Sequence, residues 1–92
     1  MTRTIVTLGG RVQGVGFRYT VLRIAAAYRV AGTVRNLRGG SVEIDAEGDA
    51  DEVDAFVRDV LANPPRGARV EQVERRSAEP RLLDAFSEAP TA

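Results

Sequence analysis

An α+β sandwich with the element order β-α-β-β-α-β is the fold class that these 92 residues predict. Three observations carry it. An alternating apolar run near the start ends at a glycine-rich turn; two later stretches place apolar residues at helical spacing; and two extended runs flank a Gly-Gly turn.

Thr4 to Val12 reads as the first strand, with Val6, Leu8 and Val12 on one face and Thr7, Gly9 and Arg11 on the other. Gly9-Gly10 is a poor strand pair and predicts a bulge or a close backbone approach. After a turn at Gln13 to Gly16, residues Phe17, Val21, Ile24, Ala25 and Tyr28 recur at helical spacing, a helix of about three turns. Ala31 to Leu37 and Ser41 to Glu47 form a hairpin around Arg38-Gly39-Gly40. In its second arm Val42, Ile44 and Ala46 point inward, and Ser41, Glu43, Asp45 and Glu47 outward. Asp49 and Glu52 have capping-box spacing and open a second helix, with Val53, Phe56, Val57, Val60 and Leu61 on its apolar face; Asn63-Pro64-Pro65 ends it. Ala68 to Arg76 is a weaker strand, with an irregularity expected between Val70 and Val73. Leu82 to Ser87 is expected to add an edge strand, frayed where it turns polar at Ser87 and Glu88. The pattern is ferredoxin-like: an antiparallel sheet with both helices on one face and the other face solvated. Because this fold hosts many activities, function has to come from a site.

Composition narrows the chemistry. The chain has no cysteine, no histidine and no lysine. That excludes a disulfide scaffold, a thiolate nucleophile, a histidine base, a Schiff base and a phosphate-loop lysine. Arginine, backbone N–H groups and neutral amides remain for handling anions. The net charge of zero conceals a division: every charged side chain from Met1 to Val42 is an arginine, and the first carboxylate is Glu43. Seven arginines against Glu43 and Asp45 leave residues 1–46 at +5, and six arginines against eleven acids leave residues 47–92 at −5. Such asymmetry suggests an anionic partner for the first half. Length argues for one domain spanning residues 1–92. With no targeting signal and no apolar run long enough to span a bilayer, a cytoplasmic protein without membrane contact is expected.

The informative stretch is Gly9 to Arg18, GGRVQGVGFR. Gly14 and Gly16 lie between a strand and a helix start, where glycines let successive N–H groups converge and the helix dipole adds positive charge. Arg18 falls in the first turn, where its charge opposes that dipole unless an anion bridges them. A tight turn followed by a solvated arginine is the competing explanation, and neither a dinucleotide fingerprint nor a Walker loop is present.

The stretch resembles the signature of acylphosphatases, G-R-V-Q-G-V-x-F-R, matched by Gly10-Arg11-Val12-Gln13-Gly14-Val15-Gly16-Phe17-Arg18. A second block of that family, G-x-V-x-N-x-x-x-G-x-V-E, is matched by Gly32, Val34, Asn36, Gly40, Val42 and Glu43. Gly48 and the run Pro64-Pro65…Gly67-Ala68-x-Val70 extend the likeness over almost the whole chain. The resemblance implies hydrolysis of an acyl phosphate: the loop Gln13, Gly14, Val15, Gly16 and Phe17 and the arginine at Arg18 would bind the phosphoryl group, and Asn36 would position the attacking water. Thr33 and Gly39 depart from the aromatic and the aspartate that many members carry, both near the hairpin.

Such chemistry needs few groups. An acyl phosphate is a mixed anhydride whose leaving carboxylate has a conjugate acid of pKa about 4, so no general acid is required. The loose phosphoryl transition state spreads charge over three oxygens, and catalysis reduces to holding that charge and aiming a water. No cofactor or metal is expected: Asp49, Asp51, Glu52 and Asp54 cluster at a helix start, where the dipole favours acids. The rival is a non-catalytic module of the same fold binding an anion or nucleic acid. It lacks the exposed strand aromatics on which bases stack, since Phe17, Tyr28 and Phe56 are assigned to helix cores. A monomer acting on a small molecule, without nucleic acid, is the expectation.

Overall fold

Alternation and helical spacing take effect where the sequence places them. In a computed structural model describing residues 1–92, the elements are β1 (Thr2–Arg11), α1 (Phe17–Ala25), β2 (Val30–Asn36), β3 (Val42–Gly48), α2 (Ala50–Ala62), β4 (Arg69–Ala78) and β5 (Phe86–Glu88). The sheet order is β4-β1-β3-β2-β5. Its first four strands pair antiparallel, and β5 adds to β2 in parallel, with Gly32 opposite Phe86 and Val34 opposite Glu88. Both helices pack on one face. Val6, Leu8, Val12, Val34, Val42, Ile44 and Ala46 meet Phe17, Val21, Ile24, Val53, Phe56, Val57 and Val60 in one core.

The bulge expected at Gly9-Gly10 and the irregularity expected between Val70 and Val73 are one feature. Gly9 pairs with Gln72 and Gly10 with Val70, so Glu71 is the extra residue. A Cβ on Gly10 would collide with the Arg69 carbonyl, which is why glycine stands there.

Three local expectations are corrected. Asp49 is the N-cap of α2 but makes no side-chain cap; Glu52 turns away, and its Oε1 accepts from the Arg29 N–H at 2.7 Å. α1 ends at Ala25, a turn earlier than the spacing suggests, and Tyr28 lies beyond it with its hydroxyl donating to Asp59 at 2.7 Å. Leu61 sits at the rim of the apolar face of α2, 36% exposed.

The largest correction concerns the outer face of the sheet, which is partly covered rather than wholly solvated, while the edge strand β4 stays exposed. β4 and β5 occupy opposite edges, four strand spacings or about 19 Å apart. Seven residues, 79–85, join them, and seven extended residues reach about 24 Å. The connection therefore runs almost straight across the outer face, as a strap, and reverses direction to enter β5 parallel to β2. Glu47 anchors it, its carboxylate accepting the Arg81 and Leu83 N–H groups at 3.0 Å each. Leu82 between them takes φ 60°, the one non-glycine residue in the left-handed region. Burial pushes the Glu47 carboxyl up, but the strap N–H groups and the Arg81 charge outweigh it and hold the carboxyl below its ordinary range. Asp45 lies beside it, 5% exposed, gripped by Arg3 through Nε at 2.9 Å and Nη2 at 2.8 Å and by Arg81 at 3.3 Å. Asp45 and Glu47 thus point outward as the alternation requires, yet are buried.

Candidate active site

The strap also decides what stands at the far end of the sheet. β1 and β2 both run toward that end, so the β1–α1 loop and the last residue of β2 meet there. Gly14 (φ 73°) and Gly16 (φ 80°) hold left-handed conformations on either side of Val15, and a Cβ at either would meet no neighbour. Glycine is needed at both for backbone torsion, not for space. The alternation turns the loop around a concavity and delivers the chain to α1 with Gly16 as its N-cap. α1 has no side-chain cap and no acidic residue in its first turn. Its leading N–H groups and the positive end of its dipole are left to whatever occupies the concavity.

That concavity is a cavity of about 190 Å³, lined by Val12, Gln13, Gly14, Gly16, Phe17, Arg18, Tyr19, Asn36 and Glu88. At roughly 30 Å³ per water it holds about six waters, enough for a phosphoryl group and the first atoms of what it is bonded to. Arg18 and Asn36, eighteen positions apart in the chain, are brought to the same cavity. Gln13 acts as a brace: its Nε2 donates to the Leu37 and Ser41 carbonyls at 2.8 Å each, tying the loop to the β2–β3 turn beside Asn36. Phe17 is a core side chain, 2% exposed, so only its backbone is free to face the cavity; Val15 likewise packs its side chain against the core rather than into the cavity. The main chain at Asn36 is fixed from the other side, its carbonyl accepting the Ala92 N–H at 3.1 Å, while Arg38 N–H donates to the Ala92 carbonyl at 2.8 Å. The segment expected to fray is therefore paired to β2 through Ala89 and Ala92.

Three lining residues, Val12, Tyr19 and Glu88, are not among the site residues read from the sequence; Val12 is a core side chain, 1% exposed. Tyr19 stands on the rim, 71% exposed. Glu88 brings a carboxylate to Arg18, Oε2 to Nη1 at 3.0 Å, with the two side chains 48% and 37% exposed. An exposed aromatic next to Arg18 was visible in the sequence; nothing local to Ser87-Glu88 signals a partner seventy positions away. No cluster of three or more acidic, histidine or cysteine side chains stands in a metal-binding arrangement, and no helix is long and apolar enough to cross a membrane.

Fold and cavity together define a class, a ferredoxin-like domain with an N–H-lined cavity where β1 turns into α1. The acylphosphatase family model matches residues 4–87, and the chain belongs to that family. It is 44% identical over 84 residues to an acylphosphatase of Thermococcus kodakarensis, covering 91% of each chain. The solved acylphosphatase of Bacillus subtilis superposes with a TM-score of 0.89 at 33% identity, over 97% of this chain and 99% of that one. The domain also recurs inside a larger protein: full-length HypF, in a phosphate- and nucleotide-bound form, matches 98% of this chain with 12% of its own at TM-score 0.91 and 30% identity. The protein is accordingly a hydrolase acting on acid anhydrides, with acylphosphatase activity.

Proposed function

We propose that the cavity hydrolyses the carboxyl–phosphate bond of a small acyl phosphate, with Arg18 and the N–H groups of Gln13 to Phe17 holding the phosphoryl oxygens and Asn36 orienting the attacking water. One observation carries this reading: an arginine, an uncapped helix N-terminus and a neutral amide, from two separate stretches of chain, line a single phosphate-sized cavity. Each supplies something the reaction needs. The planar guanidinium matches two phosphoryl oxygens at once, and the fixed N–H groups require no reorganisation as charge redistributes. An amide can both donate and accept, so Asn36 can hold a water by its lone pair or its proton. Proton transfer from that water to a phosphoryl oxygen completes the step: the new P–O bond forms as the P–O bond to the carboxylate breaks. The acyl carboxylate leaves with its electron pair.

The reading takes residues 1–92 as one domain, a monomer working in the cytoplasm without nucleic acid, membrane or cofactor. The test is turnover of benzoyl phosphate by Arg18→Ala and Asn36→Ala, each expected to lose at least about 10² in kcat. Near-normal turnover by both folded variants refutes the assignment. Retained activity in EDTA, and no salt-dependent shift of labelled nucleic acid by the same protein, separate this reading from the binding module.

A further inference from the structure

Glu88 is the single carboxylate among the residues lining the cavity, and it lies on the arginine proposed to bind the phosphoryl group. Its position follows from the fold rather than from local sequence. Glu47 anchors the strap, Phe86 seats β5 by packing edge-on against Phe56 at 5.4 Å, and parallel pairing sets Glu88 opposite Val34, two residues short of Asn36. Two residues beyond Phe86 on a strand, Glu88 points to the same side, toward the helices and the start of α1.

The contact is one-handed. Glu88 takes Nη1 of Arg18, and no other side chain bonds that guanidinium. A pair this exposed adds little to stability. Its effect on an incoming anion is larger: a phosphoryl group on Arg18 meets the Glu88 charge within a few ångströms and must share the guanidinium or displace the carboxylate.

We propose that Glu88 is an affinity-setting residue: an internal anion that occupies Arg18 in the free enzyme, yields to the phosphoryl group, and returns as phosphate leaves. This rests on the reading of Arg18 as the phosphoryl-binding residue. The consequence is selectivity by charge. Substrate and product phosphate are both held more weakly than the cradle alone would hold them, and the penalty is greater for a dianion than for a monoanion. An enzyme whose product is itself a phosphate-sized anion is thereby kept from being blocked by it.

The experiment is competitive inhibition of benzoyl phosphate hydrolysis by inorganic phosphate, in the whole chain, for the wild type, Glu88→Gln and Arg18→Ala. Glutamine keeps shape and removes charge. It is expected to tighten phosphate about 3- to 10-fold and to lower KM in the same direction, the size expected of one unit charge a few ångströms away in a half-exposed site. The gain should shrink as salt is raised and grow from about pH 5.5 to about pH 8 as phosphate becomes a dianion. Arg18→Ala should lose phosphate inhibition, by direct binding where turnover is too slow to follow. If Arg18→Ala loses phosphate while Glu88→Gln binds it no tighter, or loses kcat with its phosphate affinity unmoved, Glu88 merely positions the arginine and the proposal is overturned. If Arg18→Ala binds phosphate as the wild type does, the site reading itself fails, and the proposal with it.

Discussion

Two regions of this molecule concentrate positive groups, and only one of them is a candidate for chemistry. On the outer sheet face Arg3 makes a two-point contact with Asp45 and a third bond to the Glu79 carbonyl, Arg81 shares Asp45, and Arg35 meets Glu43 at 2.9 Å. Arg3, Arg35 and Arg81 there each meet a carboxylate on β3, both of those carboxylate side chains are at most 12% exposed, and the shared Asp45 fastens the strap to the sheet. At the β1–α1 end the positive features are of another kind: one arginine, and a row of N–H groups that no side chain caps. Its one carboxylate, Glu88, makes a single half-exposed contact. The contrast shows that the count of arginines does not mark a site. A site is marked where positive potential is left uncompensated by the fold, because compensated arginines have no electrostatic reason to bind anything else.

The sharpest test of the contrast is to make the same substitution in both regions. Arg18→Lys should lose about 10² or more in turnover, because an ammonium offers no planar fork. Arg3→Lys should leave turnover within about twofold while lowering stability to urea. An equal loss of turnover in both would erase the distinction.

Next in size is the strap. Glu47→Ala removes a buried carboxylate that accepts two strap N–H groups, and about 2–4 kcal/mol of unfolding free energy should go with it in urea titration. The same residue gives a pH signature. Because its folded carboxyl lies below the ordinary range, its contribution is fully present above the unfolded pKa and is lost as pH falls through the folded value. Stability should therefore decline from about pH 5 downward, and Glu47→Gln should flatten part of that slope. An unchanged acid limb would detach the strap from this carboxylate.

The smallest effect is expected at Gly16. A Cβ there meets nothing within 4 Å, so Gly16→Ala costs only the left-handed torsion, about 1 kcal/mol. Turnover should fall by more than that stability loss explains, since relaxing the torsion re-aims the first N–H groups of α1. Parallel losses would reduce Gly16 to a turn residue.

Much of this was legible from the chain alone, and the reason is locality. The spacing of Val53, Phe56, Val57 and Val60 decides a helix face; the alternation of Val42, Ile44 and Ala46 decides a strand face; and Gly14 and Gly16 before a helix start announce an N–H cradle. Each is a property of residues within one or two turns of each other. The Gly9-Gly10 bulge was legible too, from both of its strands. The capping pattern at Asp49 was not decisive, because Glu52 found a better donor in the Arg29 N–H, which belongs to another element.

What the tertiary structure alone decided is the path of residues 79–92. Nothing in Glu79 to Glu88 says that β4 and β5 lie at opposite edges; that follows from the order in which β1, β3 and β2 assemble between them. Once the edges are set, a seven-residue connection has a single short route, across the outer face. That route buries Glu47 and Asp45, pairs the segment after Phe86 with β2, and carries Glu88 to Arg18. Sequence determined which groups can hold an anion, because that depends on residue type and local backbone. The fold determined which carboxylate stands opposite them, because that depends on where a distant strand is allowed to end.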